Sequence, residues 1–363
     1  MSLNLDDSPR IRVLVVDDSA FMRTALARMV NCEPDMEVVA TASCASVALE
    51  KIPSLDPDVV TLDVNMPGLD GLGTLRYIMQ QFPRPVIMVS AVTEKDAETT
   101  LEALSAGAFD YVPKQMSQTS LEIAHIRNEL ISKIRAAAQS RRSRFRPVED
   151  RKPPQSARLE LGKSVSAAPA IVAIGVSTGG PKALEQILPM FPPNFPVPIL
   201  IVQHMPVGFT ATLAQRLNSI CPINVKEAAQ GELIRPGAAY IAPAGVHMRV
   251  VPRLSDSKPV IGLDVHPQDA MHIPSVDVLM NSVAEVFKHR ALAVIMTGMG
   301  SDGAAGMTAI FRQGGLTFGQ DEASCAVYGM PRVCAQLGVL THVLSLSDIP
   351  AHVIHATRRR RRA

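Results

Sequence analysis

Between Ser140 and Ala168 the apolar periodicity that runs through the rest of the chain stops, and Arg, Ser, Pro and Lys take over, Pro153 and Pro154 among them. A segment of that composition has no apolar face to bury and serves as a linker. It divides the 363 residues into two parts, which suits a chain longer than one hydrophobic core usually organises. The boundaries are placed at 1–138 for the first domain, 139–168 for the linker, 169–357 for the second domain and 358–363 for an arginine-rich tail. Hydrophobic residues at 47% and charged residues at 19% fit two globular bodies.

From Arg12 to about Arg135 short apolar runs alternate with amphipathic stretches, the pattern of a parallel sheet with helices on both faces. Strands are predicted near Val13–Val16, Glu37–Thr41, Val59–Leu62, Val86–Val89 and Asp110–Val112, with the last helix near Leu121–Ala138. The first domain is thus a five-stranded, doubly wound α/β fold. The second is also doubly wound α/β: strands at Ile171–Val176, Ile199–Gln203 and Ala291–Ile295 alternate with helices, and hairpins are expected between Asn224 and Val265.

Five cysteines, none in a CxxC pair, suggest neither a disulfide framework nor a zinc site. No apolar run approaches the length that spans a bilayer, and the first residues lack an apolar signal region. A cytoplasmic protein without membrane insertion is expected. The net charge of +2 and the absence of a basic recognition helix over 170–350 argue against nucleic-acid binding. Arg358 to Arg362 could meet phosphate or anionic lipid, or be a solvated end.

Asp17 and Asp18 end the first predicted strand and Asp63 the third, and open α/β sheets bind ligands at the carboxyl ends of their strands. Three carboxylates repel one another unless a hard divalent cation such as Mg²⁺ joins them. Ser90 and Lys114, at the next strand ends, would supply a hydroxyl and a cation to phosphoryl oxygens, with Asp63 as nucleophile. These residues, with Asn65-Met66-Pro67-Gly68 and Tyr111-Val112-Pro113, resemble a response-regulator receiver domain over residues 10–135. The resemblance implies Asp63 as phosphoacceptor, Asp17 and Asp18 as metal carboxylates and the Asn65 carbonyl as a further ligand. It also implies Ser90 and Lys114 as phosphoryl sensors, Tyr111 as the aromatic that follows Ser90, and a histidine kinase as phosphodonor.

In the second domain Gly175-Val176-Ser177-Thr178-Gly179-Gly180-Pro181 fits G-x-S-x-G on a strand-to-helix turn, where the helix N-terminus can stabilise an oxyanion. A serine nucleophile needs a base, and His204 closes the next strand. Asp302, in Gly298-Met299-Gly300-Ser301-Asp302-Gly303 after the strand Ala291–Ile295, can orient it. A hydrolase-like order would use His342 instead, and the sequence leaves that open. The same loop satisfies G-x-G-x-x-G, but Asp302 within it would repel a pyrophosphate.

Ser177-Thr178-Gly179-Gly180, Gln203-His204-Met205, Pro274-Ser275-Val276-Asp277 and Thr297 to Gly306 resemble the chemotaxis protein-glutamate methylesterases, the CheB family, over 170 to about 350. This implies a Ser177, His204 and Asp302 triad, with Thr178, Met299 and Gly300 as oxyanion or positioning groups and no cofactor for the ester step. The implied activity is demethylation of glutamyl methyl esters, and deamidation of glutamines, on chemotaxis receptors, controlled by phosphorylation. Pro274 to Asp277 is expected to cap the following helix.

Overall fold

The computed structural model describes residues 9–90, 93–114, 120–144, 168–253 and 255–358. They fall into two compact units divided between Asp150 and Arg151. Most of the expected linker and of the arginine tail lies outside the described residues. Among the described residues no helix is long and apolar enough to cross a membrane.

The first unit runs β1 (Ile11–Val16), α1 (Ala20–Asn31), β2 (Met36–Ala42), α2 (Ala45–Leu55), β3 (Val59–Asp63), α3 (Gly71–Gln81), β4 (Val86–Ser90), α4 (Glu94–Ser105), β5 (Asp110–Pro113) and α5 (Ser120–Arg144). Its parallel strands lie in the order β2-β1-β3-β4-β5. β3 and β4 are buried along their whole length, as short Val- and Ile-rich strands covered on both faces should be. Val13, Val15, Ile87 and Val89 pack with Leu130 and Ile134 of α5, each burial contributing about 1.5–3 kcal/mol. The chain order reverses between β1 and β3, so the loops after these strands open the ligand crevice.

Helix α5 continues six residues past Ala138, where the apolar pattern ends. Arg141 explains part of the extension: it pairs with Asp56 (2.8 Å) and Asp58 (3.5 Å) and donates to the Pro57 carbonyl (2.7 Å). The polar last turns are thereby tied to the loop before β3 without an apolar stripe.

The second unit comprises β6 (Ile171–Val176), α6 (Gly180–Ile187), β7 (Ile199–Gln203), α7 (Phe209–Ile220), β8 (Asn224–Glu227), β9 (Ala238–Ile241), β10 (His247–Pro252), β11 (Pro259–Asp264) and α8 (Val276–Phe287). It continues through β12 (Ala291–Ile295), α9 (Ala304–Arg312), β13 (Leu316–Gln320), α10 (Met330–Gln336), β14 (His342–Leu344) and α11 (Ile349–Arg358). Seven strands form one parallel sheet in the order β14-β13-β12-β6-β7-β9-β8. Of the hairpins expected between Asn224 and Val265, one forms, β10 with β11. β8 and β9 instead pair in parallel at the sheet edge, extending the ladder of β7 and burying Val225 and Ile241. β6 lies centrally, and the order reverses between it and β12.

Candidate functional site

Two crevices carry chemistry, one in each unit. In the first, Val16 pairs with Leu62 in register, which sets Asp17 beside Asp63. The ligand oxygens of Asp17, Asp18 and Asp63 lie within 4.8 Å of one another, the first and last buried and Asp18 exposed. Lys114 bridges the buried pair, its Nζ 2.9 Å from Asp17 Oδ2 and 2.7 Å from Asp63 Oδ2. The other oxygens accept backbone amides, Ser19 N onto Asp17 Oδ1 (2.9 Å) and Asn65 N onto Asp63 Oδ1 (3.1 Å). Burial pushes the Asp63 carboxyl up, Lys114 and the Asn65 amide offset this only in part, and the Asp17 charge adds to the rise. One lysine does not neutralise three carboxylates, so the donor set fits a hard divalent cation with oxygen ligands.

Ser90 is fully buried and accepts from Thr100 Oγ1 of α4 (2.9 Å). Tyr111 is turned inward and buried; Lys133 Nζ lies 5.0 Å from its ring centre and donates to its carbonyl (2.6 Å). Lys133 is half-buried; desolvation alone would lower its pKa, but Asp110 (3.5 Å) and Glu129 (2.6 Å) hold it above the usual lysine range. Asn65 sends its side-chain amide to Asp96 Oδ1 of α4 (2.8 Å). Thr100, Lys133 and Asp96 sit on helices, where periodicity marks burial but not which polar group it serves.

In the second unit Ser177 is the first residue beyond β6, His204 the first beyond β7, and Asp302 lies in the loop after β12. Val176 pairs with Gln203 and Gly175 with Ile295, so the three strand ends converge. Ser177 N donates to the Thr297 carbonyl (3.0 Å) and His204 N to that of Val176 (3.2 Å). The amide nitrogen of Gln203, buried beneath, donates to the carbonyls of both Ser177 (3.0 Å) and His204 (2.9 Å). Helix α6 begins at Gly180 with Pro181 in its first turn.

His204 Nε2 lies 2.8 Å from Asp302 Oδ2, which leaves Nδ1 as the acceptor nitrogen; Nδ1 is buried with no hydrogen-bond partner among the described residues. His342 is elsewhere: it starts β14, at the sheet's edge, against Phe318 (5.1 Å between ring centres) and near His352 (6.3 Å). Asp302 is therefore paired with His204 and not with His342. Thr178 is buried next to Ser177, its carbonyl accepting from Thr297 Oγ1 (2.9 Å). Met299 and Gly300 continue the turn beyond Gly298, Met299 half-buried and Gly300 exposed.

The N-terminus of α8 grips Asp302. Ser275 Oγ (2.8 Å) and Asp277 N (3.0 Å) donate to Oδ1, and Val276 N (2.7 Å) donates to Oδ2. Burial alone would raise the Asp302 carboxyl, but the His204 bond and charge, with the α8 amides, hold it well below the usual carboxylate range. The arrangement is reciprocal, for Asp277 in the first turn of α8 accepts Gly306 N of α9 (2.7 Å). Ser275 does cap α8, accepting from Val278 N (3.4 Å). Its hold on Asp302 could be found from the sequence only by placing the α8 start against the 298–303 loop.

Gly298 permits a close approach to Ser177 itself. A Cβ there would fall 2.8 Å from Ser177 Cβ and 2.3 Å from Met330 Sδ. Gly298→Ala is expected to displace Ser177, lowering turnover about tenfold or more and stability by about 1–3 kcal/mol. Wild-type turnover with an unchanged melting curve would contradict that approach.

Residues 172–353 match the CheB methylesterase family and residues 13–125 the response regulator receiver domain. A protein of Nitratidesulfovibrio vulgaris named protein-glutamate methylesterase/protein-glutamine glutaminase 2 is 46% identical over 95% of this chain and 99% of its own. A Pyrococcus abyssi protein named protein-glutamate methylesterase/protein-glutamine glutaminase is 43% identical over 96% of this chain and 94% of its own. The crystal structure of the Thermotoga maritima CheB methylesterase catalytic domain superposes with a TM-score of 0.50 and 41% identity, covering 52% of this chain and 99% of that domain.

Proposed function

The chain belongs to the CheB methylesterase family, and from that premise we propose that Ser177, His204 and Asp302 hydrolyse glutamyl methyl esters on chemotaxis receptors under the control of Asp63 phosphorylation. The observation that carries the reading is the His204 to Asp302 pair at 2.8 Å, set beside a serine on a strand-to-helix turn.

Ser177 Oγ attacks the γ-carbonyl carbon while His204 Nδ1 takes its proton. The carbonyl oxygen gains negative charge, which the turn at Thr178 and the Met299–Gly300 turn stabilise. The carbon–methoxy bond breaks, His204 returns the proton to the leaving oxygen as methanol departs, and a glutamyl-serine ester remains. Water, deprotonated by His204, attacks that ester; the proton passes back to Ser177 and a free glutamate is released. Attack on a glutamine side chain follows the same path with ammonia leaving, which is the glutaminase half of the relatives' name. Asp302 stays ionised and accepts the hydrogen bond from the proton that His204 carries on Nε2, so that Nδ1 is the base.

In the first unit Asp17, Asp18, Asp63 and the Asn65 carbonyl would hold Mg²⁺. When bound, that ion supplies charge neutralisation for an approaching phosphoryl group. Asp63 Oδ2 is the nucleophile, Lys114 contacts the phosphoryl oxygens, and Ser90 and Tyr111 respond to the new group. A histidine kinase is the physiological donor.

The test is methanol release from methylated receptor, with and without acetyl phosphate and Mg²⁺. Wild type should respond to the phosphodonor, and Asp63→Asn should keep its basal rate and lose the response. No release by wild type under either condition rules out the ester reading, and a normal response in Asp63→Asn rules out the phosphorylation site.

A further inference from the structure

The reading above requires His204 Nδ1 to face Ser177, yet the ring has one hydrogen bond in its own plane, Nε2 to Asp302. Nδ1 has no partner among the described residues. A ring held at one nitrogen can rock about that bond, and rocking carries Nδ1 away from the hydroxyl it must deprotonate. The face of the ring meets a second imidazole. His272 stacks on His204 with ring centres 4.1 Å apart and planes 21° from parallel, a geometry in which aromatic rings attract beyond the apolar area they bury.

The segment that presents His272 is held from below. His247, fully buried on β10, accepts Ser275 N at Nδ1 (3.1 Å) and donates from Nε2 to the Pro267 carbonyl (3.0 Å). Between these anchors Gly245 N donates to the Ile273 carbonyl (3.2 Å). The same Ser275 grips Asp302 through its hydroxyl, so one short stretch of chain fixes both the carboxylate in the plane of His204 and the ring on its face.

We infer that His272 is a positioning residue for the reaction: its ring stacks on His204 and confines that base to the orientation in which Nδ1 reaches Ser177. The inference rests on the hydrolase reading and adds to it a group that neither touches substrate nor moves a proton.

The experiment compares wild type, His272→Ala and His272→Phe as full-length chains, by kcat and KM for methanol release from methylated receptor. His272→Ala should lose about tenfold or more in kcat with KM unchanged. His272→Phe keeps a ring and has no nitrogen, and should recover most of the loss. The His204 Hε1 proton resonance gives a second reading: a ring-current shift present in wild type and in His272→Phe, and lost in His272→Ala. Wild-type kcat in His272→Ala, a His272→Phe variant as slow as His272→Ala, or a loss confined to KM would each overturn the inference. If wild type releases no methanol at all, the hydrolase reading fails instead, and the Hε1 shift still reports on the stack.

Discussion

Replacing Ser177 with alanine is expected to cut methanol release from methylated receptor by about 10⁴-fold or more, with or without a phosphodonor. On the proposed route Ser177 supplies the oxygen that forms the acyl-enzyme, and water cannot take that position without losing the alignment the turn provides. The residual rate would come from the turn amides and from His204 acting on free water. The variant should fold normally. Ser177 is half-buried, its backbone amide bonds Thr297 and its carbonyl bonds Gln203, and alanine keeps both, so a stability change within about 0.5 kcal/mol is expected. Melting curves should overlay while turnover collapses. Equal release by wild type and variant would leave Ser177 as a helix-start serine and remove the covalent route.

The candidate groups were legible because they close apolar strands. Asp17, Asp63, Ser90, Ser177 and His204 each stand at or just past the end of a Val- or Ile-rich run, and parallel sheets gather such ends along one edge. What the sequence did not show lies across that pattern. Gln203 ends β7 inside a recognisable motif, but nothing local says that its amide spans the carbonyls of Ser177 and His204; that follows from the register of β6 against β7. His272 belongs to a stretch without periodicity, and its partner is 68 residues away in sequence. The pairing of β8 with β9 illustrates the same limit. Both read as short β-segments separated by turn residues, which suits a hairpin, and only the ladder offered by β7 selects the parallel arrangement. The end of α5 was missed for another reason: its last turns are fastened by Arg141 to Asp56 and Asp58, and ion pairs between distant segments leave no mark on helix amphipathicity.

Asp302→Asn is expected to lower turnover by about 10³- to 10⁴-fold while leaving Ser177 and His204 in place. All four groups that meet the Asp302 carboxylate are donors: His204 Nε2, Ser275 Oγ and the amides of Val276 and Asp277. An asparagine must turn its NH₂ toward one pair of them. If it faces His204, the imidazole proton moves to Nδ1, and the nitrogen that should deprotonate Ser177 is already protonated. If it faces Ser275 and Asp277, the amide of Asp277 loses its acceptor, a cost of about 1–3 kcal/mol. Stability should change with pH in a defined sense. Asp302 is held below the ordinary carboxylate range in the folded chain, so the stabilisation from its ionised form is complete above the pKa of an unfolded aspartate. It is lost as pH falls from there through the depressed folded value. Thermal unfolding of wild type and Asp302→Asn between neutral pH and pH 3 should show the wild-type advantage shrinking in acid. A gap that stays constant with pH would mean the ionised carboxylate contributes no net stability, and turnover in the variant within tenfold of wild type would mean that His204 is oriented without it.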